Sequence, residues 1–273
     1  MKLSFATLGC PSWTLDQIVA NAATLGFDGV ELRGVAGEHI GPDEPPEARA
    51  SIRRLFGKAG IGISCIMGYS NFTVDDPEKR GESVTAIGKF ITIASDIGCP
   101  IVRVFGGRLT EAGRDACAAR VVACLKQLAP QAEKAGVTLA METHDDWCYG
   151  EYLAGVIEAV DSPAVRVCWD MSNSYFIEPY ETTFPRIKDY IRHVHFKDAA
   201  RDAGGKISST LPGTGQVPMG QALDLLCGAG YDGYLSFEWE KKWEPALEEP
   251  EVAFPRFLAH TRALLKKAGA RIG

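Results

Sequence analysis

Apolar and polar positions along the chain repeat one phrase: a stretch of helical period, a Gly-containing turn, then a short apolar run rich in β-branched residues. Leu3-Ser-Phe-Ala-Thr-Leu8 opens as a strand. Ser12 to Leu25 has helical spacing with Ser12 or Thr14 as N-cap, and Gly26-Phe-Asp-Gly29 turns into Val30-Glu31-Leu32. Pro46 to Ala59 predicts the next helix, closed by Gly60 before Ile61 to Ile66. Asp76-Pro77 opens a long helix to Ile97, followed by Ile101 to Phe105. Gly113 to Ala135 is a fourth helix, ended by Gly136 ahead of a strand from Val137. Helices at Gly150 to Val160, Phe184 to Tyr190, Gly220 to Ala229 and Val252 to Lys267 alternate with strands at Val165 to Trp169, His193 to Phe196 and Tyr234 to Glu238. Eight strands alternating strictly with eight helices predict an α/β fold with a parallel sheet, closed as a (β/α)8 TIM barrel. An open doubly wound sheet is the competing arrangement, but no Gly-rich dinucleotide fingerprint follows the first strand. No linker or change of composition divides the chain, so residues 1–273 are expected to form a single barrel domain.

The stretch Val137-Thr-Leu-Ala-Met-Glu142-Thr-His144 sharpens this picture. Its period-two alternation puts Thr138, Ala140, Glu142 and His144 on one face and Val137, Leu139 and Met141 on the other. The large apolar face calls for a covering helix, and the small-then-ionisable face suits a barrel interior. Val167-Cys-Trp-Asp170, His193-Val-His195-Phe and Leu235-Ser-Phe-Glu238-Trp have the same grammar. In a barrel all of these ends share one mouth, so Glu142, Asp170, His195 and Glu238 are expected to converge on one divalent metal. Each has a plainer reading on its own: a solvated loop carboxylate, a helix cap at Asp170, a satisfied core histidine at His195.

Composition narrows the function classes. A formal charge of −6 and a sequence pI near 5.5 oppose a phosphate-backbone footprint, so nucleic acid is not an expected partner. No apolar run approaches membrane-spanning length, and the N-terminal apolar run is too short for a signal sequence. Eight cysteines show no two-residue spacing and read as small buried hydrophobes; a reducing cytoplasm is the expected location.

Three carboxylates and one imidazole form an oxygen-rich set suited to Mn²⁺ first, with Mg²⁺, Co²⁺ or Zn²⁺ as alternatives. Such a site can hold two oxygens of a polyol or hydroxyketone and stabilise an enediolate. Glu142 and Glu238, expected on opposite strands, would take and return the moving proton. His144, one layer further out, is a candidate substrate contact. Lys197 is expected either to bind a substrate oxygen or to face water, and Trp13 either to wall a sugar ring or to pack in the core. His193 reads as structural. Glu31 and Arg103 share the pocket phase and are expected to pair with each other or to touch substrate.

The motifs Glu142-Thr-His144, Trp169-Asp170-Met-Ser-Asn173, His193-Val-His195-Phe-Lys197-Asp198 and Phe237-Glu238-Trp239, with Leu25-Gly-Phe-Asp-Gly-Val-Glu31, resemble the sugar phosphate isomerase/epimerase group of xylose-isomerase-like barrels. Ketose 3-epimerases, inosose dehydratases and isomerases, and the endonuclease IV branch share that fold. The resemblance covers essentially the whole chain. It implies that Glu142, Asp170, His195 and Glu238 are metal ligands, that Glu142 and Glu238 are the acid/base pair, and that Arg201 lies against substrate oxygens. Homo-oligomers are a family-level expectation. Two departures stand out: Asn173 replaces a histidine that many relatives use near substrate, and Cys148 stands where epimerases often carry an acid. Leu211-Pro-Gly213-Thr-Gly215-Gln-Val217 resembles the family's glycine turn, a weak phosphate signal without a following Lys.

The function expected is therefore a metal-dependent isomerase or epimerase of a small sugar, keto-sugar or cyclitol. A dehydratase on the same site begins with the same proton abstraction and is the nearest rival. A carbohydrate-binding barrel without catalysis and a nuclease follow; the five histidines are too few and too scattered for the three-metal cluster of the nuclease branch.

Overall fold

The computed structural model describes residues 1–269. Its strands are β1 (Lys2–Ala6), β2 (Gly29–Arg33), β3 (Gly62–Met67), β4 (Ile101–Val104), β5 (Thr138–Glu142), β6 (Val165–Asp170), β7 (Ile191–His195), β8 (Asp198–Arg201), β9 (Ile207–Thr210) and β10 (Tyr234–Phe237). Eight of them close a parallel barrel in the order β1-β10-β7-β6-β5-β4-β3-β2, while β8 and β9 form a separate antiparallel hairpin. The helices are α1 (Leu15–Leu25), α2 (Pro46–Ala59), α3 (Pro77–Ile97), α4 (Gly113–Ala135), α5 (Gly150–Val160), α6 (Met171–Tyr175), α7 (Tyr180–Ile187), α8 (Met219–Gly228) and α9 (Pro250–Lys267).

Local chemistry accounts for most of the boundaries. Thr14 caps α1 in a reciprocal capping box with Gln17, and Asp76 caps α3 by accepting from the Glu78 and Lys79 amides. Gly136, at φ 66°, ends α4 in a left-handed turn that leads directly into β5. The inner face of the barrel is small or ionisable: Ser4, Glu31, Cys65, Arg103, Ala140, Cys168, His193 and Ser236 are all fully buried. Alternate positions such as Leu139, Met141, Trp169, Phe196 and Phe237 face the helices and join the main core. One aromatic stack, Phe237 on Phe257 with ring centroids 4.5 Å apart, ties α9 to the strand that precedes Glu238. Burying a Phe of this kind contributes roughly 1.5–3 kcal/mol, which fixes the strand end firmly.

The structure departs from the sequence reading in three places. The hairpin β8–β9 is additional; its first residue, Asp198, accepts hydrogen bonds from the amides of Gly213 (2.9 Å), Gly215 (2.8 Å) and Val217 (3.2 Å). The glycine turn thus spends its N–H groups on an internal carboxylate, not on a phosphate. The one-turn helix α6 is also additional, built by the Asp170 cap. The helix expected at Phe184 to Tyr190 begins earlier, at Tyr180, because Pro179 supplies the extended entry and Tyr180, Thr183, Phe184 and Ile187 make the buried face. Among the described residues no helix is long and apolar enough to cross a membrane.

Candidate active site

Glu142, Asp170 and His195 are the last residues of β5, β6 and β7, and Glu238 follows β10 directly. The register sets Asp170 beside His195, Glu142 beside Cys168 and His195 beside Ser236. One ligand atom from each of Glu142, Asp170, His195 and Glu238 lies within 4.8 Å of all the others, and all four residues are buried. Glu142 and Glu238 lie three strands apart around the barrel, not diametrically opposite, because β6 and β7 alone separate β5 from β10.

Each side chain is aimed by a neighbour. Asp170 does two things at once: Oδ1 accepts from the Asn173 amide at 2.8 Å and caps α6, while the buried Oδ2 faces the site with the Lys197 ammonium 3.0 Å away. Thr143 bonds both the amide and the carbonyl of Asp170, at 2.8 and 3.1 Å, and so locks the tip of β6 to β5. His195 has its Nε2 3.1 Å from Glu31 Oε1, which leaves Nδ1 facing Glu142 (3.3 Å), Glu238 (3.5 Å) and Asp170 (3.9 Å). Glu31 also engages His193 Nε2 at 3.0 Å and accepts from Ser236 at 2.6 Å. The Glu31–Arg103 pair expected from sequence does not form: Arg103 Nη1 sits 3.2 Å from Glu142 Oε2 instead.

Charge settles into opposed groups. Burial pushes the Glu142 carboxyl up, but His195 and Arg103 outweigh it and leave the group acidic. Burial raises Asp170, and the nearby Glu238 and Glu142 charges reinforce it against the Lys197 ammonium. Burial disfavours the charge on Glu31, yet the two histidines hold it well below the usual carboxylate range. Burial likewise opposes the Lys197 charge, but Asp170, Glu238 and Glu240 keep it protonated.

Beneath the mouth lies a cavity of about 240 Å³ lined by Leu8, Tyr69, Arg103, Phe105, His144, Lys197, Glu238, Glu240 and Trp243. A larger groove of about 650 Å³ lies between α4 and α5, outside the barrel and away from the convergent acids. His144 reaches the mouth with its ring 4.3 Å from Phe105 and Nδ1 2.9 Å from Asp145. Lys197 does not face water: its Nζ lies 3.0 Å from Asp170, 2.6 Å from Glu238 and 2.5 Å from Glu240. The other three residues expected at substrate do not line the cavity. Trp13 packs edge-on against Phe254, the Asn173 amide donates to the Thr143 carbonyl at 3.3 Å, and exposed Arg201 donates to the Phe176 carbonyl at 2.9 Å.

A sequence profile described as xylose isomerase-like TIM barrel matches residues 19–260. The chain belongs to that family. Among curated relatives, fructoselysine 3-epimerase of Shigella flexneri is 25% identical over 97% of this chain and 98% of its own length. Among solved structures, L-ribulose 3-epimerase superposes with a TM-score of 0.82 at 19% identity, covering 98% of this chain and 95% of that one. The IolI protein with a bound zinc atom gives 0.83 at 18% identity, covering 98% and 99%. The family's fold explains why the strand ends carry the chemistry. It does not by itself supply the pairings found in this chain. Glu31 was expected in the pocket, but not as the partner of both histidines; Trp243 at the mouth, 54% exposed, was missed as a site residue. Glu31 carried a signal in its pocket phase; Trp243 lies in irregular chain and carried none.

The four convergent residues fit a divalent cation on the chemistry of their donors. Three hard carboxylates and an imidazole meet in one buried place, where Glu142 Oε2 and Asp170 Oδ2 make no aligned hydrogen bond and face the Arg103 and Lys197 cations at 3.2 and 3.0 Å. Glu31 holding the far nitrogen of His195 is the orientation that metal-ligating histidines use.

Proposed function

We propose that the chain is a divalent-metal-dependent isomerase or epimerase of a small keto-sugar or cyclitol. The observation that carries this reading is the convergence of Glu142, Asp170, His195 and Glu238 beneath a cavity that suits a single sugar. At about 240 Å³ the cavity falls below the ~300–1,000 Å³ of pockets for larger ligands. The 3-epimerase activity of the curated relative places the 3-position of a ketose first among reactions to try.

Glu142, Asp170, His195 and Glu238 would hold the metal, which supplies positive charge beside the substrate oxygens. The carboxyl groups of Glu142 and Glu238 act as base and acid, one accepting the proton from the carbon next to the carbonyl and the other, itself protonated, delivering its own proton to the opposite face. Their different surroundings suit this division: Arg103 and His195 keep Glu142 acidic, while Glu238 is held by Lys197 at 2.6 Å. Lys197 and His144 border the cavity; His144 contacts a substrate hydroxyl, while the Lys197 ammonium holds Asp170, Glu238 and Glu240. Burial of Glu142, Asp170 and Glu238 shields the reacting carbon from bulk water, while their carboxyl protons exchange with solvent between turnovers.

The test is solvent-deuterium incorporation into L-ribulose, D-fructose and related ketoses in Mn²⁺-loaded protein, beside Glu142→Gln and Glu238→Gln. Exchange is expected in the parent and lost in both variants. Undiminished exchange in both variants refutes the acid/base assignment. A new enone absorbance in place of exchange turns the reading toward dehydration.

A further inference from the structure

Among the described residues Arg103 is the one cation at the mouth whose donors make no aligned hydrogen bond. It is fully buried, it lines the cavity, and its Nε, Nη1 and Nη2 all lack a hydrogen-bond partner. Among the described residues its one carboxylate neighbour within ion-pair distance is Glu142, at 3.2 Å, and no N–H is aligned on that oxygen. Two aromatic rings flank the guanidinium, with the Phe105 centroid 3.9 Å and the Tyr69 centroid 4.8 Å from its carbon; the two centroids are 5.8 Å apart, so the rings meet it from directions roughly at right angles. Cation–π contacts of this kind restrain the group, and its nitrogens remain its polar surface. Lys197 contrasts with it, since three carboxylates already surround its ammonium. A buried charged donor set with no acceptor is costly, and such a group is stabilised when a ligand supplies the acceptor.

We propose that Arg103 is a catalytic residue that donates hydrogen bonds to the substrate carbonyl oxygen beside the carbon that loses its proton. This rests on the proton-transfer reading above. When a glutamate takes the proton, the C–H electron pair becomes the C=C bond of the enediolate and the carbonyl π pair moves onto oxygen. The Arg103 N–H groups stabilise that oxygen without giving up a proton, and the electrons return when the carbon is reprotonated. Because the flanking rings and its burial restrain it beforehand, the donor needs little rearrangement as charge develops.

The experiment measures binding, not turnover, in Mn²⁺-loaded protein. Calorimetry compares glycolohydroxamate, a planar mimic of the enediolate, with xylitol, a saturated polyol. Arg103→Met is expected to weaken glycolohydroxamate by roughly 10- to 100-fold, the loss of a charge-assisted hydrogen-bonded pair, with xylitol unchanged. Arg103→Lys keeps the charge without the fork and is expected to recover only part of the affinity; it also stands in if the Met variant does not fold. Equal losses for both probes, no loss for either, or loss of bound metal in the variants each overturn the proposal. So does a metal-loaded parent that fails to bind glycolohydroxamate. A parent that takes up no metal refutes the metal-dependent reading itself.

Discussion

Replacing Glu31 with Ala tests how the barrel interior sets up the site above it. Glu31 is fully buried and receives His195 at 3.1 Å, His193 at 3.0 Å and Ser236 at 2.6 Å. Hydrogen bonds to a charged group contribute about 1.5–3 kcal/mol each, but removing the buried charge relieves its desolvation. A net loss of about 3–5 kcal/mol is therefore expected, the range for breaking a buried ionic network. For a chain of this size that lowers the melting temperature by roughly 6–20 °C. The second effect is specific to the metal: with no acceptor at Nε2, His195 is no longer held with Nδ1 toward the three carboxylates. A 10- to 100-fold loss of metal affinity follows, equivalent to about 1.4–2.7 kcal/mol. Glu31→Gln keeps one acceptor oxygen and should fall between parent and Ala. Scanning calorimetry of the metal-free protein reads the first effect, and Mn²⁺ or Zn²⁺ titration the second. An Ala variant that binds metal as tightly as the parent refutes the claim that Glu31 orients His195, whatever happens to its melting temperature.

Lys197→Met removes the ammonium that separates Asp170, Glu238 and Glu240. The metal-free variant should melt roughly 6–20 °C lower, on the same ~3–5 kcal/mol basis, and saturating Mn²⁺ should restore much of the loss; an equal drop with and without metal counts against a shared acidic site. His39 offers a pH test away from the metal ligands: burial lowers its pKa, against the opposing Trp13 carbonyl. The unfolded chain then takes up a proton near the ordinary histidine value of about 6.5 that the folded chain refuses. Its contribution is complete above that value and is lost as pH falls through the window toward the lowered folded pKa. Melting curves should show parent stability declining relative to His39→Gln between neutral pH and pH 5; a constant difference excludes this linkage.

What the sequence carried, and what it did not, follows from where each kind of information lies. Side-chain direction along a strand has period two, so Ala140 and Glu142 could be placed inward and Leu139 and Met141 outward from their own neighbours in the chain. The common mouth of a parallel barrel then brought Glu142, Asp170, His195 and Glu238 together without any knowledge of register. Partner choice is another matter, because it depends on which layers meet across the closed sheet. Arg103 and Glu31 share the pocket phase, yet Arg103 reaches the tip of β5 while Glu31 reaches the histidines of β7. Nothing local distinguishes those partners from each other. Irregular chain was less legible still: Trp13, which follows the first strand, packs beneath α9, and Trp243, which belongs to no periodic segment, takes the mouth. Lys197 shows the same limit in one residue. Its position two beyond His195 predicted nearness to the site, but whether its ammonium meets water, substrate or acid is decided by Asp170 at the end of β6 and by Glu238 and Glu240 in the segment after β10. The carboxylates that marked the candidate site in the sequence are therefore the same groups that redirect the neighbouring cation inward, which among the described residues leaves Arg103 as the cation at the cavity wall without an aligned hydrogen bond.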